Sequence, residues 1–305
     1  MQMLKLGSTG PEVIKLQKLL KIKADGSFGP GTRQAVIRFQ LNNNLTPDGV
    51  VGNGTWTLLL AKDYSNEAID QDSDLSAQYF TTPFGQIIHK NFLPKDEYVQ
   101  QKMKNQYIFL HHTAGRENPY KVIEQWDKDT RGRIGTEFVL GGQSHTDSSD
   151  KYDGVMVQAF PEGNLAWHLG ATGSGHMNKA SVGLEICSMG HLDKDFKTYV
   201  GSTVVESQRI TLKEAFRGRI HFHNYSAKQI EETEKWIRYV AERDNIDVRI
   251  GLQQWIKKHG ATKAFDFQED AYYGNVKGLL THTNVRKDKM DCYPHPDLVD
   301  MIMSL

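Results

Sequence analysis

A run of four apolar residues, Tyr107-Ile108-Phe109-Leu110, leads directly into two histidines, His111-His112. Without polar alternation, such a run reads as a strand buried on both faces, and strands of that kind belong to layered α/β architectures. Thr136–Leu140, Val155–Phe160 and Val182–Cys187 read as further strands, and Pro119–Asp129 as a helix. A second helix is expected after Ser226. There Ser226 and Gln229 have capping-box spacing, ahead of Ile230, Ile237, Val240 and Ala241 on one helical face. Residues 191–224 fit neither pattern and are read as an insertion with some β structure. Residues 100–305 are therefore expected to form an α/β unit, a central mixed β-sheet flanked by helices.

The N-terminal 62 residues follow a different rule. Val13, Leu16, Leu19 and Leu20 recur at helical spacing, as do Ala35, Val36 and Phe39, and Trp56, Leu59 and Leu60 mark a short third helix. Pro11 and Pro30 stand at first-turn positions, where a missing N–H costs nothing. Two similar turns, Asp25-Gly26-Ser27-Phe28-Gly29 and Asp48-Gly49-Val50-Val51-Gly52, begin 23 residues apart and suggest an internal pseudo-repeat. The order Gly7…Gly10…Val13…Leu16-Gln17…Leu20, Asp25-Gly26…Phe28-Gly29, Ala35…Phe39-Gln40 and Asp48-Gly49-Val50-Val51-Gly52…Thr55-Trp56 resembles the three-helix peptidoglycan-binding module. The resemblance implies a small all-α domain over residues 1–62 that holds cell-wall polymer. Polar, poorly periodic residues 63–99 are read as a linker, with Phe84–Phe92 packing onto the second domain.

A chain of 305 residues accommodates two such domains. Lysine plus arginine equals aspartate plus glutamate at 37 each, so net charge argues for neither nucleic acid nor anionic membrane as a partner. No apolar stretch is long enough to span a bilayer. Met1–Gly10 lacks a basic start followed by an apolar run, so a secretory signal is not expected and the chain is read as made in the cytoplasm. Two cysteines, Cys187 and Cys292, imply no disulfide framework.

Three segments carry chemistry. The first is the strand ending in His111-His112, since imidazole is a good zinc ligand and a strand exit holds it rigidly. Adjacent strand residues face opposite sides, so only one of the two can face a given site. The second is Thr281-His282-Thr283-Asn284-Val285-Arg286-Lys287-Asp288-Lys289-Met290-Asp291-Cys292-Tyr293-Pro294, which brings a histidine, lysines, a carboxylate and a thiol into one loop. Such a loop can complete a three-ligand site with a fourth position left for water. The third is Trp167-His168, followed by Ser181-Val182-Gly183-Leu184-Glu185. A carboxylate on a buried strand is costly unless paired or functional, although a lone strand glutamate is more often structural.

Together these segments resemble the zinc-dependent N-acetylmuramoyl-L-alanine amidases, the group that includes phage amidase lysozymes, anhydromuramyl-peptide amidases and peptidoglycan recognition proteins. The resemblance spans roughly residues 100–300. It implies His111, rather than His112, as the first zinc ligand and His282 as the second. The lysine-plus-two spacing then implies Lys289 as a catalytic lysine and Asp291 as third ligand, with adjacent Cys292 the alternative. Glu185 matches the general base of the branch that has glutamate there. Trp167 and His168 are implied to contact substrate or shape the groove. The chain departs from the family's pattern where a proline usually precedes the lysine; Lys287 stands near that place.

Such an enzyme hydrolyses the amide between N-acetylmuramic acid and L-alanine, and the modular layout resembles phage endolysins acting in cell lysis. Peptidoglycan is the expected partner, Zn(2+) the expected cofactor and a monomer the expected state. A zinc peptidase cutting within the stem peptide and a non-catalytic peptidoglycan receptor are the alternatives.

Overall fold

The computed structural model describes residues 3–20, 22–43, 45–61, 78–100 and 104–305. The chain divides into two compact units, Met1–Ser73 and Asp74–Leu305. Of the expected linker, residues 63–99, the first part, 63–77, lies outside the described residues.

The first unit contains helices α1 (Pro11–Leu19), α2 (Pro30–Asn42) and α3 (Asn53–Ala61). Leu4, Val13, Leu16, Phe28, Val36, Phe39, Val51, Trp56 and Leu59 form its core. The 23-residue repeat is explicit in its hydrogen bonds. Gln17 donates through Nε2 to Asp25 Oδ1, the Ser27 carbonyl and Thr32 Oγ1, and accepts from the Gly26 N–H. Gln40 repeats every bond with Asp48, Val50, Thr55 and Gly49. One buried amide thus satisfies a whole turn in each half. Gly26 and Gly49 sit at φ 74 and 72, in the left-handed region that glycine adopts without cost.

The second unit is built on a seven-stranded mixed sheet in the order β1-β2-β5-β4-β6-β3-β9. The strands are β1 (Tyr79–Thr81), β2 (Ile87–Lys90), β3 (Tyr107–His112), β4 (Phe138–Leu140), β5 (Met156–Gln158), β6 (Ser181–Ile186) and β9 (Leu279–Thr281). Neighbours β4, β6, β3 and β9 run parallel, whereas β1–β2 and β4–β5 are antiparallel. Every residue of β3 is buried, as its unbroken apolar run requires. Ile108 and Leu110 pack into the larger core with Trp236, Ile237, Val240 and Leu298, while Tyr107 and Phe109 join Leu169, Met177, Leu280 and Val285 on the other face.

The helix Ala227–Asp244 carries the expected capping box, Ser226 Oγ accepting from the Gln229 N–H at 2.9 Å and Gln229 Oε1 from the Ser226 N–H at 3.1 Å. The same Gln229 donates to the Cys187 carbonyl beyond β6 at 2.9 Å, fixing the helix to the sheet. One finding differs from the sequence reading. Strands β1 and β2 lie inside the segment read as linker, and β2 pairs in parallel with β5. The insertion forms a separate two-stranded ribbon, β7 (Arg209–Phe216) with β8 (Arg219–His223).

Candidate metal centre

Sheet register assembles the site. In the parallel pair β3–β6, His111 stands beside Glu185, and paired residues of neighbouring strands share a face. Leu110 pairs with Thr281 at the end of β9, so the next residue, His282, comes level with His111. There the chain turns into the short helix His282–Val285, capped by Thr281 and Asn284. The Asp291 carbonyl accepts from the Thr283 N–H at 3.1 Å, which returns the following loop to the same point.

His111 Nδ1 lies 3.2 Å and His282 Nδ1 2.9 Å from the same oxygen, Asp291 Oδ2. The three side chains form a potential metal-binding group with ligand atoms within 4.8 Å of one another. Ligand atoms about 2.0–2.1 Å from a tetrahedral zinc ion lie about 3.3 Å apart, close to these separations. Tautomers strengthen the fit. His282 Nε2 meets the Leu169 carbonyl at 3.3 Å, and a carbonyl can only accept. With its proton on Nε2, facing that carbonyl, a neutral His282 turns a bare Nδ1 lone pair toward a carboxylate oxygen. Two acceptors at 2.9 Å repel unless a cation, proton or metal, lies between them. The residues present fit a divalent ion of the zinc type.

Outer contacts orient the ligands. His111 Nε2 lies 2.9 Å from His168 Nδ1, and His168 Nε2 lies 2.8 Å from Ser181 Oγ. Burial lowers the His111 pKa to about 4, with the neighbouring His282 charge acting the same way. That favours the neutral, coordinating imidazole at ordinary pH. Burial alone would raise the Asp291 pKa, but His282 and His111 outweigh it and hold the carboxyl well below its usual range. Glu185 is opposite in character: burial, reinforced by the Asp291 charge and opposed by that of Lys289, raises its pKa well above normal. Its Oε2 is buried and finds no hydrogen-bond partner among the described residues.

The sequence-derived candidates are thus largely brought together: His111, His282 and Asp291 converge, Glu185 flanks His111, and half-buried Lys289 acts electrostatically on Glu185. Both ring nitrogens of His168 are engaged within the protein, one with His111 and the other with Ser181. Cys292 turns away, its Sγ 2.8 Å from Tyr225 Oη, which also meets His112 Nδ1 at 3.0 Å. Trp167 is 42% exposed beside His168. Ser181 and the Leu169 carbonyl were not singled out from sequence; only their places beside Glu185's strand and His168 hinted at them.

Two clefts are lined in part by residues of the loop that follows His282. A cleft of about 430 Å³ is lined by Ala171, Phe267, Tyr272, Tyr273, Val285 and Arg286, among others. A second, of about 440 Å³, includes Lys289, and Phe267 and Lys287 line both.

Residues 9–59 match the model of a peptidoglycan-binding domain family. Among solved structures, the N-terminal domain of SleB is 38% identical over 20% of this chain and 90% of its own, with a TM-score of 0.19. The amidase LysC from Clostridium intestinale URNW is 15% identical, covering 71% of this chain and 95% of its own, with a TM-score of 0.38. The catalytic domain of XlyA is 16% identical over 71% and 97%, at 0.37. The model of the N-acetylmuramoyl-L-alanine amidases matches residues 101–286, a span holding His111, His168, Glu185 and His282. The chain belongs to the N-acetylmuramoyl-L-alanine amidase family.

Proposed function

We propose that this peptidoglycan amidase works with one zinc ion held by His111 Nδ1, His282 Nδ1 and Asp291 Oδ2. The convergence of two imidazole nitrogens on one carboxylate oxygen carries the reading. Bound there, zinc supplies Lewis acidity toward the scissile carbonyl and the attacking water. The bond broken joins the lactyl carbonyl of N-acetylmuramic acid to the nitrogen of L-alanine.

Glu185 accepts the proton of the attacking water. A carboxylate whose buried Oε2 has no hydrogen-bonding partner among the described residues, on the same sheet face as His111, is placed for that task, and burial raises its pKa, which makes it the stronger base. The same carboxyl then returns the proton to the departing L-alanine nitrogen. Lys289 stabilises the negative charge that develops on the carbonyl oxygen. His168 and Ser181 hold the His111 ring in orientation, and the exposed Trp167 indole contributes a wall for substrate. The N-terminal module keeps the enzyme on its insoluble polymer, an effect of local concentration.

We further propose that the chain acts as a monomeric lysin, made in the cytoplasm and directed at cell wall, with neither nucleic acid nor membrane as partner. Among the described residues no helix is long and apolar enough to cross a membrane. Digestion of purified sacculi tests the whole reading. Mass spectrometry should find intact glycan strands and free peptides beginning with L-alanine, and exhaustive chelation should stop their release. New reducing sugar ends, cuts only within peptides, or full activity after chelation would each refute it.

A further inference from the structure

The 191–224 insertion has no place in the chemistry described so far, yet one of its residues reaches the metal-site loop. Strands β7 and β8 are joined by a two-residue turn, Arg217-Gly218, closed by the pair Phe216–Arg219. Arg217 has φ 49 and Gly218 φ 77. Tight hairpin turns with positive φ at both central residues favour Asn-Gly or Gly-Gly, and arginine gains nothing there locally. Its side chain shows why it is kept. The side chain is only 10% exposed. Nη1 donates to the carbonyls of Arg286, at 2.9 Å, Lys287, at 3.2 Å, and Lys289, while Nη2 donates to that of Thr283 at 2.9 Å. Nε and Nη2 both reach Asp266 Oδ1, at 2.9 and 2.8 Å.

Four carbonyls of one loop therefore point at a single cation. Carbonyl dipoles converging in this way repel one another, and a planar, multi-donor guanidinium relieves that where a lysine ammonium does so only in part. The clamped stretch begins one residue after His282, includes Lys289 and ends two residues before Asp291. Asp266 completes the clamp from outside the loop, its Oδ1 also accepting from the Phe267 N–H at 2.7 Å.

We infer that Arg217, at the tip of the inserted hairpin, is a positioning residue that sets the 283–291 loop, and through it Lys289 and Asp291, in working geometry. The inference rests on the roles proposed above for those two residues. The insertion is then a strut for the active site, and the strained turn is the cost of delivering a guanidinium to that spot.

The test is Arg217→Asn in the full chain. Asparagine suits the left-handed turn position, so the hairpin itself is favoured while the clamp is removed. Zinc-loaded variant should turn over a soluble muropeptide roughly 10- to 100-fold more slowly at saturation, the scale of loss that small misplacement of reacting groups produces. Its KM should stay within about threefold and its zinc affinity fall by roughly tenfold or more. In metal-free protein, amide hydrogen exchange of residues 283–291 should accelerate relative to the parent. Should the Asn variant not fold, Arg217→Lys carries the same measurements, with smaller losses of the same sign.

Turnover, zinc affinity and exchange all within twofold of the parent would overturn the inference. So would a loss of folded protein with unchanged turnover in the folded fraction. Parallel Asp291→Ala and Lys289→Met variants keep the two levels apart. If these leave zinc binding and turnover intact, the site roles are wrong; if they are impaired and Arg217→Asn is not, the clamp alone fails.

Discussion

The Leu169 carbonyl can accept a proton held on His282 Nε2, and in that tautomer Nδ1 is the nitrogen available to a metal. Glu185 is decided by absence instead, because its buried Oε2 has no partner among the described residues to hold the carboxylate in one protonation state. Replacing it with Gln should keep zinc and fold but slow cleavage at least about a hundredfold, the usual scale for a general acid–base group. Specific activity per bound zinc is the measurement, and an unchanged ratio places the base elsewhere. Asp291 and Cys292 are neighbours with opposite orientations, one toward the two imidazoles and the other toward Tyr225. Asp291→Ala should therefore empty the site, whereas Cys292→Ser should retain zinc; metal analysis of the two purified variants decides.

At the scale of elements, legibility in the sequence followed locality. The strand Tyr107–His112 was readable because an unbroken apolar run needs no knowledge of its neighbours, and the cap at Ser226 because its two partners lie three residues apart. Strands β1 and β2 were not. Three and four residues long, they owe their strand character to pairing with each other and with β5. His145 is 2% exposed, and Ser202 and Val205 of the insertion bond to it across the fold, a contact no local pattern announces. The turns of the N-terminal module were legible as a repeat, but the glutamines that secure them were not. Gln40 makes four hydrogen bonds through one buried amide. Its loss leaves buried groups unsatisfied, at about 1–3 kcal/mol. Gln40→Ala should accordingly lower the unfolding midpoint of the module and weaken binding to sacculi, while hydrolysis of a small soluble muropeptide stays at the parent rate. A fall in the soluble rate would contradict the division of labour.

For the whole molecule, acid is the condition that should unmake the catalytic unit. Burial lowers the pKa of His89 to about 4, His223 to about 3 and His295 to about 4. An unfolded histidine titrates near 6.5, so between about 6.5 and 4 the unfolded chain binds more protons than the folded one. The stability these neutral rings contribute is complete above pH 6.5, falls as pH drops through that window, and levels off below the folded values. Metal-free protein followed by calorimetry should show its unfolding midpoint declining from pH 7 to pH 4; a flat profile would be inconsistent with three rings buried neutral.

His111 and Asp291 are separated by 180 residues of chain. An ion shared between them is a cross-link that closes nearly the whole catalytic unit into a loop. Forbidding the open conformations of a loop that long removes much of the unfolded chain's freedom, and the benefit grows only slowly with further length. Cys187 and Cys292 meanwhile remain unpaired. With the proposed ion bound, the unit would be tied by metal and not by sulfur, and its resistance to unfolding would follow the supply of that ion instead of the oxidising power of its surroundings.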